Sequence, residues 1–439
     1  MTTILPILLL ATLFSQSVAF TFTFTSTSPV SVGTFTTRSR STIRATRIFS
    51  STDDGDDDDD NDDDDDGSMD DEEDHPLADV DDERKSNLFS MMLRDLQIEG
   101  VPLLGCDADQ VHTLQAALWT TMSELSEQDD AQKACLIMEN IPTAALQTFV
   151  DDFLVLKTQS DQMEYLPELE RVSASIVGKG LGPAVLLEVT PKTATAADDD
   201  ATTIVDEFKC SAAMKSFMNR VVIGNDDADD ESAPASIGLG DEGSAAPIDY
   251  RFSSSANICA TIASFWNCVC EMQSDASIGT LCLQLPSISN NRFATVSQLL
   301  SRSLCLYQGD SVFSLVHFSP TYDRNQIEPV DRPAFGHLPP MSWLTPMLVA
   351  NGDDDSLLDD DDAALAKSNY QRKSPICAVN IVRNSLLADP TIVAIELQAD
   401  GRSAQASGLE VYCPNAIRLA ATDEAVWKGA LAAELAILE

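Results

Sequence analysis

Seventeen acidic side chains stand between residues 53 and 74, most of them Asp in two unbroken runs of five. Like charges at this density repel one another, and the segment has almost no apolar surface to bury. We therefore expect residues 53–83 to form a disordered acidic linker, with the folded structure elsewhere. A calcium site is disfavoured, because the run lacks the Asp-x-Asp-x-Asp-Gly loop with a Glu at its twelfth position.

The segment before this linker has the composition of a two-part targeting sequence. A short apolar stretch ends in small residues at Ala19, which predicts a signal peptide over residues 1–19. Residues 20–52 are rich in Ser and Thr, contain four Arg and lack Asp and Glu, as transit peptides do. With Phe20 at the junction, the leader resembles the plastid presequences of algae with secondary plastids. We predict import into the plastid stroma, and secretion is the alternative.

The charge of the chain excludes several classes of partner. The net charge is −44, and it becomes −48 once residues 1–52 are removed. Such a field repels nucleic acids and anionic lipid head groups, which bind basic patches. No second apolar run approaches the length of a membrane span, so we expect no membrane contact in the mature form. The charge is compatible with a basic protein partner or with loose binding of divalent cations.

The ten cysteines do not follow the spacing of a disulfide framework or a zinc site. They are too sparse for a disulfide-stabilised scaffold, which favours reduced thiols in a stroma-like compartment. The densest group falls outside the C-x₂₋₄-C pairs that structural zinc prefers. That group consists of Cys259, Cys268, Cys270 and Cys282. We predict no metal site, and the sequence identifies no cofactor.

Residues 84–175 show the apolar spacing of helices. Intervals of three and four residues place one set of apolar side chains on a single helix face. That set is Val111, Leu114, Leu118, Met122 and Leu125. A second set follows Pro142, a residue that is tolerated at the first helical position. Its members are Leu146, Phe149, Val150 and Phe153. We therefore expect residues 84–175 to form a small helical region.

From residue 176 onward, strand-like runs alternate with amphipathic helical segments. The predicted strands are residues 183–190, 281–285, 312–318 and 391–397. The predicted helices are residues 208–222, 259–272, 293–304 and 422–438. This alternation predicts an α/β fold over residues 176–439, a mixed sheet flanked by helices. We expect the acidic stretches in this part of the chain to be loop insertions at the surface.

The segment from Val312 to Arg324, VFSLVHFSPTYDR, carries the residues best suited to chemistry. Ligands of open α/β sheets bind where the chain leaves a strand, and here the strand ends just after His317. Histidine titrates near neutral pH, and Tyr322 and Arg324 can hold an anionic group. The alternative is that His317 is an ordinary buried strand residue.

Several segments of the second half are similar, in the same order, to the bacterial and plastid family called domain of unknown function 1415. The segments are Met214–Gly224, Leu281–Pro286, Arg292–Leu300, Phe318–Tyr322 and Asn369–Asn384. The residues that match the family pattern are Pro320, Tyr322, Asn369, Tyr370, Ser374, Pro375 and Arg383. The resemblance implies an α/β domain over about residues 208–390.

Three departures from this pattern bear on activity. Ser319 stands in place of a family His, Lys373 in place of an Arg, and Asn380 in place of a second His. The resemblance therefore implies a domain that has diverged from any chemistry based on those histidines. It favours a non-catalytic protein that acts in assembly or regulation.

The alternative function is an enzyme or a small-molecule binder with an anion-holding pocket. In that hypothesis His317 is the general acid or base. The ligand-binding residues are Tyr322, Lys373, Ser374 and Arg383. Whether these five side chains converge decides between the two hypotheses.

Overall fold

The computed structural model describes the chain between Leu103 and Glu439, with gaps. The described residues are 103–106, 111–128, 130, 132–138, 146–147, 150–151, 169–177, 184–192, 206–223, 248–324, 338, 341–352, 367–386, 393–397, 402–406 and 409–439. The predicted signal peptide, transit peptide and acidic linker, residues 1–83, lie outside the described residues.

A four-stranded sheet lies in the first part of the described chain. Its strands are β1 (Leu103–Cys106), β2 (Gln132–Met138), β3 (Leu169–Val177) and β4 (Ala184–Pro191). The order across the sheet is β1-β2-β4-β3. The pair β1–β2 is parallel, whereas β2–β4 and β3–β4 are antiparallel.

A second four-stranded sheet follows. Its strands are β5 (Ile248–Phe252), β6 (Thr280–Gln284), β7 (Phe313–Phe318) and β8 (Ala378–Arg383). The order is β5-β6-β8-β7, with β5–β6 parallel and the other two pairs antiparallel. A separate antiparallel pair consists of β9 (Val393–Leu397) and β10 (Arg402–Ala406).

Seven α-helices have described bounds. They are α1 (Val111–Ser126), α2 (Glu207–Met218), α3 (Ile258–Ser274), α4 (Asn290–Leu306), α5 (Met341–Asn351), α6 (Leu409–Ala421) and α7 (Glu424–Leu438). A π-helical turn, Asn219–Ile223, extends α2. Local capping explains several of these starts, because Asp206, Asn257 and Asp423 each accept hydrogen bonds from backbone N–H groups of the first turn.

The two large sheets share one topology. In each, the first strand is parallel to the second, the fourth pairs with the second, and the third lies at the edge. A parallel pair needs a crossover connection, and a helix provides it in both cases: α1 joins β1 to β2, and α3 joins β5 to β6. The two four-stranded sheets, each with its crossover helix, therefore form an internal structural repeat.

The two equivalent helices, α1 and α3, pack against each other in antiparallel directions. At one end the Asn257 amide donates a hydrogen bond to the Ser126 hydroxyl over 2.7 Å. At the other end His112, at the start of α1, is hydrogen-bonded to Gln273, near the end of α3. In a two-fold symmetric dimer, equivalent helices of the two copies can meet in the same antiparallel way. Here both copies belong to one chain.

One apolar core runs through both repeats. Trp119 of α1 and Trp266 of α3 are fully buried within a single cluster that also includes Leu187 of β4 and Leu281 of β6. On the other face of the second sheet, a separate cluster joins α2 to the sheet, with Phe217 and Phe318 packed edge to face. The second sheet is thus covered on both faces, as an α/β fold requires.

These observations confirm the predicted α/β class and correct the organisation around it. The predicted strands 183–190, 281–285, 312–318 and 391–397 match β4, β6, β7 and β9, and the four predicted helices match α2, α3, α4 and α7. Residues 84–175 are not purely helical, because β1, β2 and most of β3 fall within them. The strands escaped prediction because polar residues interrupt the apolar residues of β2 (QKACLIM) and β3 (LERVSASIV).

Candidate functional site

The end of β7 and the start of β8 meet because the two strands are antiparallel neighbours. The register pairs Phe318 with Ala378, so the chain leaving β7 runs beside the chain entering β8. Two backbone hydrogen bonds join these segments, from Ser319 N to Arg372 O over 3.1 Å and from Ser374 N to Ser319 O over 3.4 Å. The predicted site residues near this junction are therefore brought together by sheet pairing.

His317 is a core residue of β7. Its side chain is fully buried, and its Nε2 atom lies 3.1 Å from the Ser301 hydroxyl of α4. The ring packs edge to face against Phe293, with 6.3 Å between the centroids. A histidine enclosed in this way holds two elements together, and it has no exposed face to offer a substrate.

Tyr322, Lys373 and Ser374 lie at the junction but have different neighbours. The Tyr322 hydroxyl accepts a hydrogen bond from Leu338 N over 2.8 Å, and burial raises the pKa of this phenol. The Ser374 hydroxyl donates to Ile376 O over 2.5 Å within a tight turn. The Lys373 ammonium lies 4.6 Å from the centroid of the Tyr370 ring.

Arg383 lies at the opposite end of the sheet from the other predicted residues. It pairs with Phe313, four residues before His317, which places the two about 13 Å apart along the strands. Its Nε donates to Ile278 O over 3.0 Å, and its Nη2 donates to Asp275 O over 3.1 Å and to Met272 O. Arg383 therefore satisfies carbonyl groups at the C-terminal end of α3.

The predicted five-residue pocket does not form. The prediction placed residues 373–383 in one segment, and this segment is the extended strand β8 with its lead-in. A strand advances about 3.3 Å per residue, so its two ends cannot meet at one site. Tyr322, Lys373 and Ser374 stay at one end of the sheet, His317 is inside it, and Arg383 is at the other end.

A cluster of arginine and tyrosine side chains stands beside this junction. Arg324 is fully buried, and three of its nitrogens donate hydrogen bonds. The acceptors are Asn369 Oδ1 at 2.9 Å, the Tyr412 hydroxyl at 2.6 Å and the Ser368 hydroxyl at 2.5 Å. Helix α6 supplies Tyr412, and the 3₁₀ turn Lys367–Gln371 supplies the other two acceptors.

Arg372 adds a second guanidinium group to the cluster. Its side chain is half-buried and lies 5.4 Å from the centroid of the Phe318 ring. Burial lowers the pKa of Arg372, and the neighbouring Arg324 lowers it further, while Tyr322 and Tyr412 oppose the shift. We call Arg324, Arg372, Tyr322 and Tyr412 the arginine–tyrosine cluster.

The thiols of the described residues are in a weakly reactive form. Nine cysteines are free, and seven of them are buried. Burial raises the pKa of Cys135, Cys282 and Cys377 to about 12. The thiolate is the nucleophile, so at neutral pH these side chains act as packing groups.

The described part of the chain contains neither a metal-binding group of side chains nor a membrane-spanning helix. No group of three or more His, Cys, Asp or Glu side chains there has the arrangement to hold a metal ion. None of the described helices is long and apolar enough to cross a membrane.

Sequence reasoning missed Arg372 and Tyr412. Arg372 stands two residues before Ser374, within the segment Asn369–Asn384 that the sequence analysis singled out, but it was not among the predicted site residues. Tyr412 belongs to α6, whose apolar residues recur at helical spacing but surround an internal Pro414. That spacing was the signal available, and the proline obscured it.

No protein-family model matches this chain, and no curated protein or solved structure matches it either. The resemblance to the domain of unknown function 1415 family therefore stays a prediction. The segments that carry it belong to α2, β6, α4, the end of β7 and the lead-in to β8.

Proposed function

We propose that this chain is a non-catalytic plastid protein that acts in assembly or regulation by binding a basic protein partner. The observation that carries the proposal is the burial of His317, the residue expected to serve as acid or base, against Ser301 in the core. The position of Arg383 supports it, because this side chain is engaged with carbonyl groups at the end of α3.

The thiols and the charge of the chain also support a non-catalytic protein that binds a basic partner. Buried cysteines with raised pKa values are poor nucleophiles, so the cysteine side chains serve packing. The charge of −48 after removal of the leader attracts basic surfaces over the Debye length, about 8 Å at physiological salt. The predicted leader places the encounter in the plastid stroma.

Capture of the tagged full chain from plastids tests the proposal. We expect a defined basic protein to co-purify at low salt and to be released as the salt concentration rises. The variant His317→Gln keeps a polar group opposite Ser301, and we expect it to capture the same protein. The presequence fused to a fluorescent protein tests the location separately.

If the protein is instead an enzyme that uses His317, the same variant should lose activity. Turnover of a substrate that is lost in His317→Gln, with the melting temperature and the partner capture unchanged, would contradict the non-catalytic proposal. Release of the leader fusion outside the cell would contradict the plastid location.

A further inference from the structure

The arginine–tyrosine cluster concentrates positive charge inside a strongly acidic chain. Arg324 is fully buried, and its hydrogen bonds to Asn369, Ser368 and Tyr412 all go to neutral oxygen atoms. The carboxylate of Asp323 accepts a hydrogen bond from Asn369 Nδ2 over 3.3 Å. A buried guanidinium is costly unless negative charge or several good acceptors compensate it.

Arg372 is the member of the cluster that has a hydrogen-bond donor without an acceptor among the described residues. Its Nε atom is buried and has no hydrogen-bond partner within the described part of the chain. Its contact with the Phe318 ring covers one face of the guanidinium without providing an acceptor oxygen. A buried N–H group that lacks an acceptor costs about 1–3 kcal/mol, so native proteins rarely retain one without a reason.

We propose that Arg372, Arg324 and Tyr412 form a binding site for the oxyanion group, phosphate or carboxylate, of a small metabolite. Arg372 donates to the anion from its buried Nε atom, and the residue as a whole is partly exposed to solvent. This site is independent of the proposed protein partner, because it is built from basic rather than acidic residues.

Each residue has a distinct part in the site. The planar guanidinium of Arg372 can bind two oxygens of a phosphate or a carboxylate at once. The Tyr412 oxygen accepts from Arg324, which leaves its O–H proton available to the ligand. Arg324 orients Tyr412 and adds a second positive charge in a buried setting, where electrostatic attraction is stronger than in water.

Calorimetric titration of the full chain with inorganic phosphate and with malonate tests the proposal. We expect saturable binding of at least one anion and a higher melting temperature in its presence. Arg372→Gln should raise the dissociation constant for the anion about tenfold or more, and Tyr412→Phe should raise it about threefold. Binding of phosphate alone or of malonate alone supports the site and identifies the oxyanion group.

Arg171→Gln is the matched control, because it makes the same change at an exposed arginine on β3. We expect it to bind the anion as the unsubstituted chain does. Without ligand, Arg372→Gln should melt at the same temperature or higher, since it removes a positive charge beside Arg324 and a buried N–H donor that lacks an acceptor in the described structure. A lower melting temperature for this variant, equal binding by Tyr412→Phe, or no saturable binding of either anion would overturn the proposal.

Discussion

At the residue scale, burial decides the chemistry of the thiols. Cys282 is fully buried in β6, and burial raises its pKa to about 12. Cys270 and Cys305 are partly exposed, yet burial still raises their pKa values to about 11. These side chains hold their protons more tightly in the folded chain than in the unfolded chain, so they link stability to pH.

We expect the free energy of unfolding to fall as the pH rises from about 9 towards about 12. The unfolded chain releases its thiol protons near pH 9, whereas Cys135, Cys282 and Cys377 keep theirs until about pH 12 when folded. Each of these thiols removes about 1.4 kcal/mol per pH unit within that window. Urea unfolding measured at several pH values between about 7 and 11 checks the slope.

The variant Cys282→Ala serves as the control for this pH dependence. Above about pH 9, the free energy of unfolding of this variant should fall less steeply with pH, by the contribution of one thiol. Between about pH 7 and 8 its pH dependence should be unchanged. An identical slope in both proteins above pH 9 would show that this thiol does not contribute.

At the element scale, one buried ion pair holds the C-terminal helix. Arg220 donates to both carboxylate oxygens of Glu434, over 2.7 and 3.0 Å, and Glu434 is only 2 % exposed. Trp427 lies beside two guanidinium groups, with 5.8 Å from its ring centroid to Arg220 and 5.1 Å to Arg418. Helix α7 is therefore attached to α2 by charge as well as by packing.

We expect Glu434→Gln to lower the free energy of unfolding by about 3–5 kcal/mol, because it leaves Arg220 buried without a counter-charge. The matched control is Glu271→Gln, which removes the carboxylate partner of Arg251 in a pair whose side chains are 39 % and 38 % exposed. That change should cost about 0–1 kcal/mol, since water solvates both groups. Urea unfolding compares the two variants, and equal losses would argue against a structural role for the buried pair.

At the scale of the whole molecule, the structural repeat makes the two sheets depend on one helix pair. The main apolar cluster includes Leu118 of α1, Val269 of α3 and residues of both sheets. Neither sheet can lose this contact without exposing the core of the other. The two halves should therefore unfold together.

We expect Leu118→Ala to destabilise both halves in a single transition, by about 3 kcal/mol. Leu118 is fully buried, so its removal leaves a cavity at the helix pair. Val111→Ala is the control on the same helix, because Val111 is 43 % exposed and should change the stability by no more than about 0.5 kcal/mol. Tryptophan fluorescence and far-UV circular dichroism during urea unfolding report the transitions. Two separate transitions, with only one of them shifted, would contradict this dependence.

Local patterns in the sequence were enough to locate the elements around the site. Residues 293–304 repeat apolar side chains at helical intervals, and residues 312–318 form a short, mainly apolar run, so α4 and β7 were predictable. The predicted strand 312–318 also put Tyr322 just beyond the end of β7, whereas β8, which follows Ser374, was not predicted. Each of these features depends on neighbours within a few residues.

The tertiary structure decided which distant segments meet. The pairing of β7 with β8 sends Arg383 to the far end of the sheet, and the packing of α6 brings Tyr412 to Arg324 across 88 positions of sequence. Strand order and helix docking depend on the complementarity of whole surfaces, which no local periodicity encodes. For the same reason, the repeat is evident in the strand order of the two sheets and was not recognised in the amino-acid pattern.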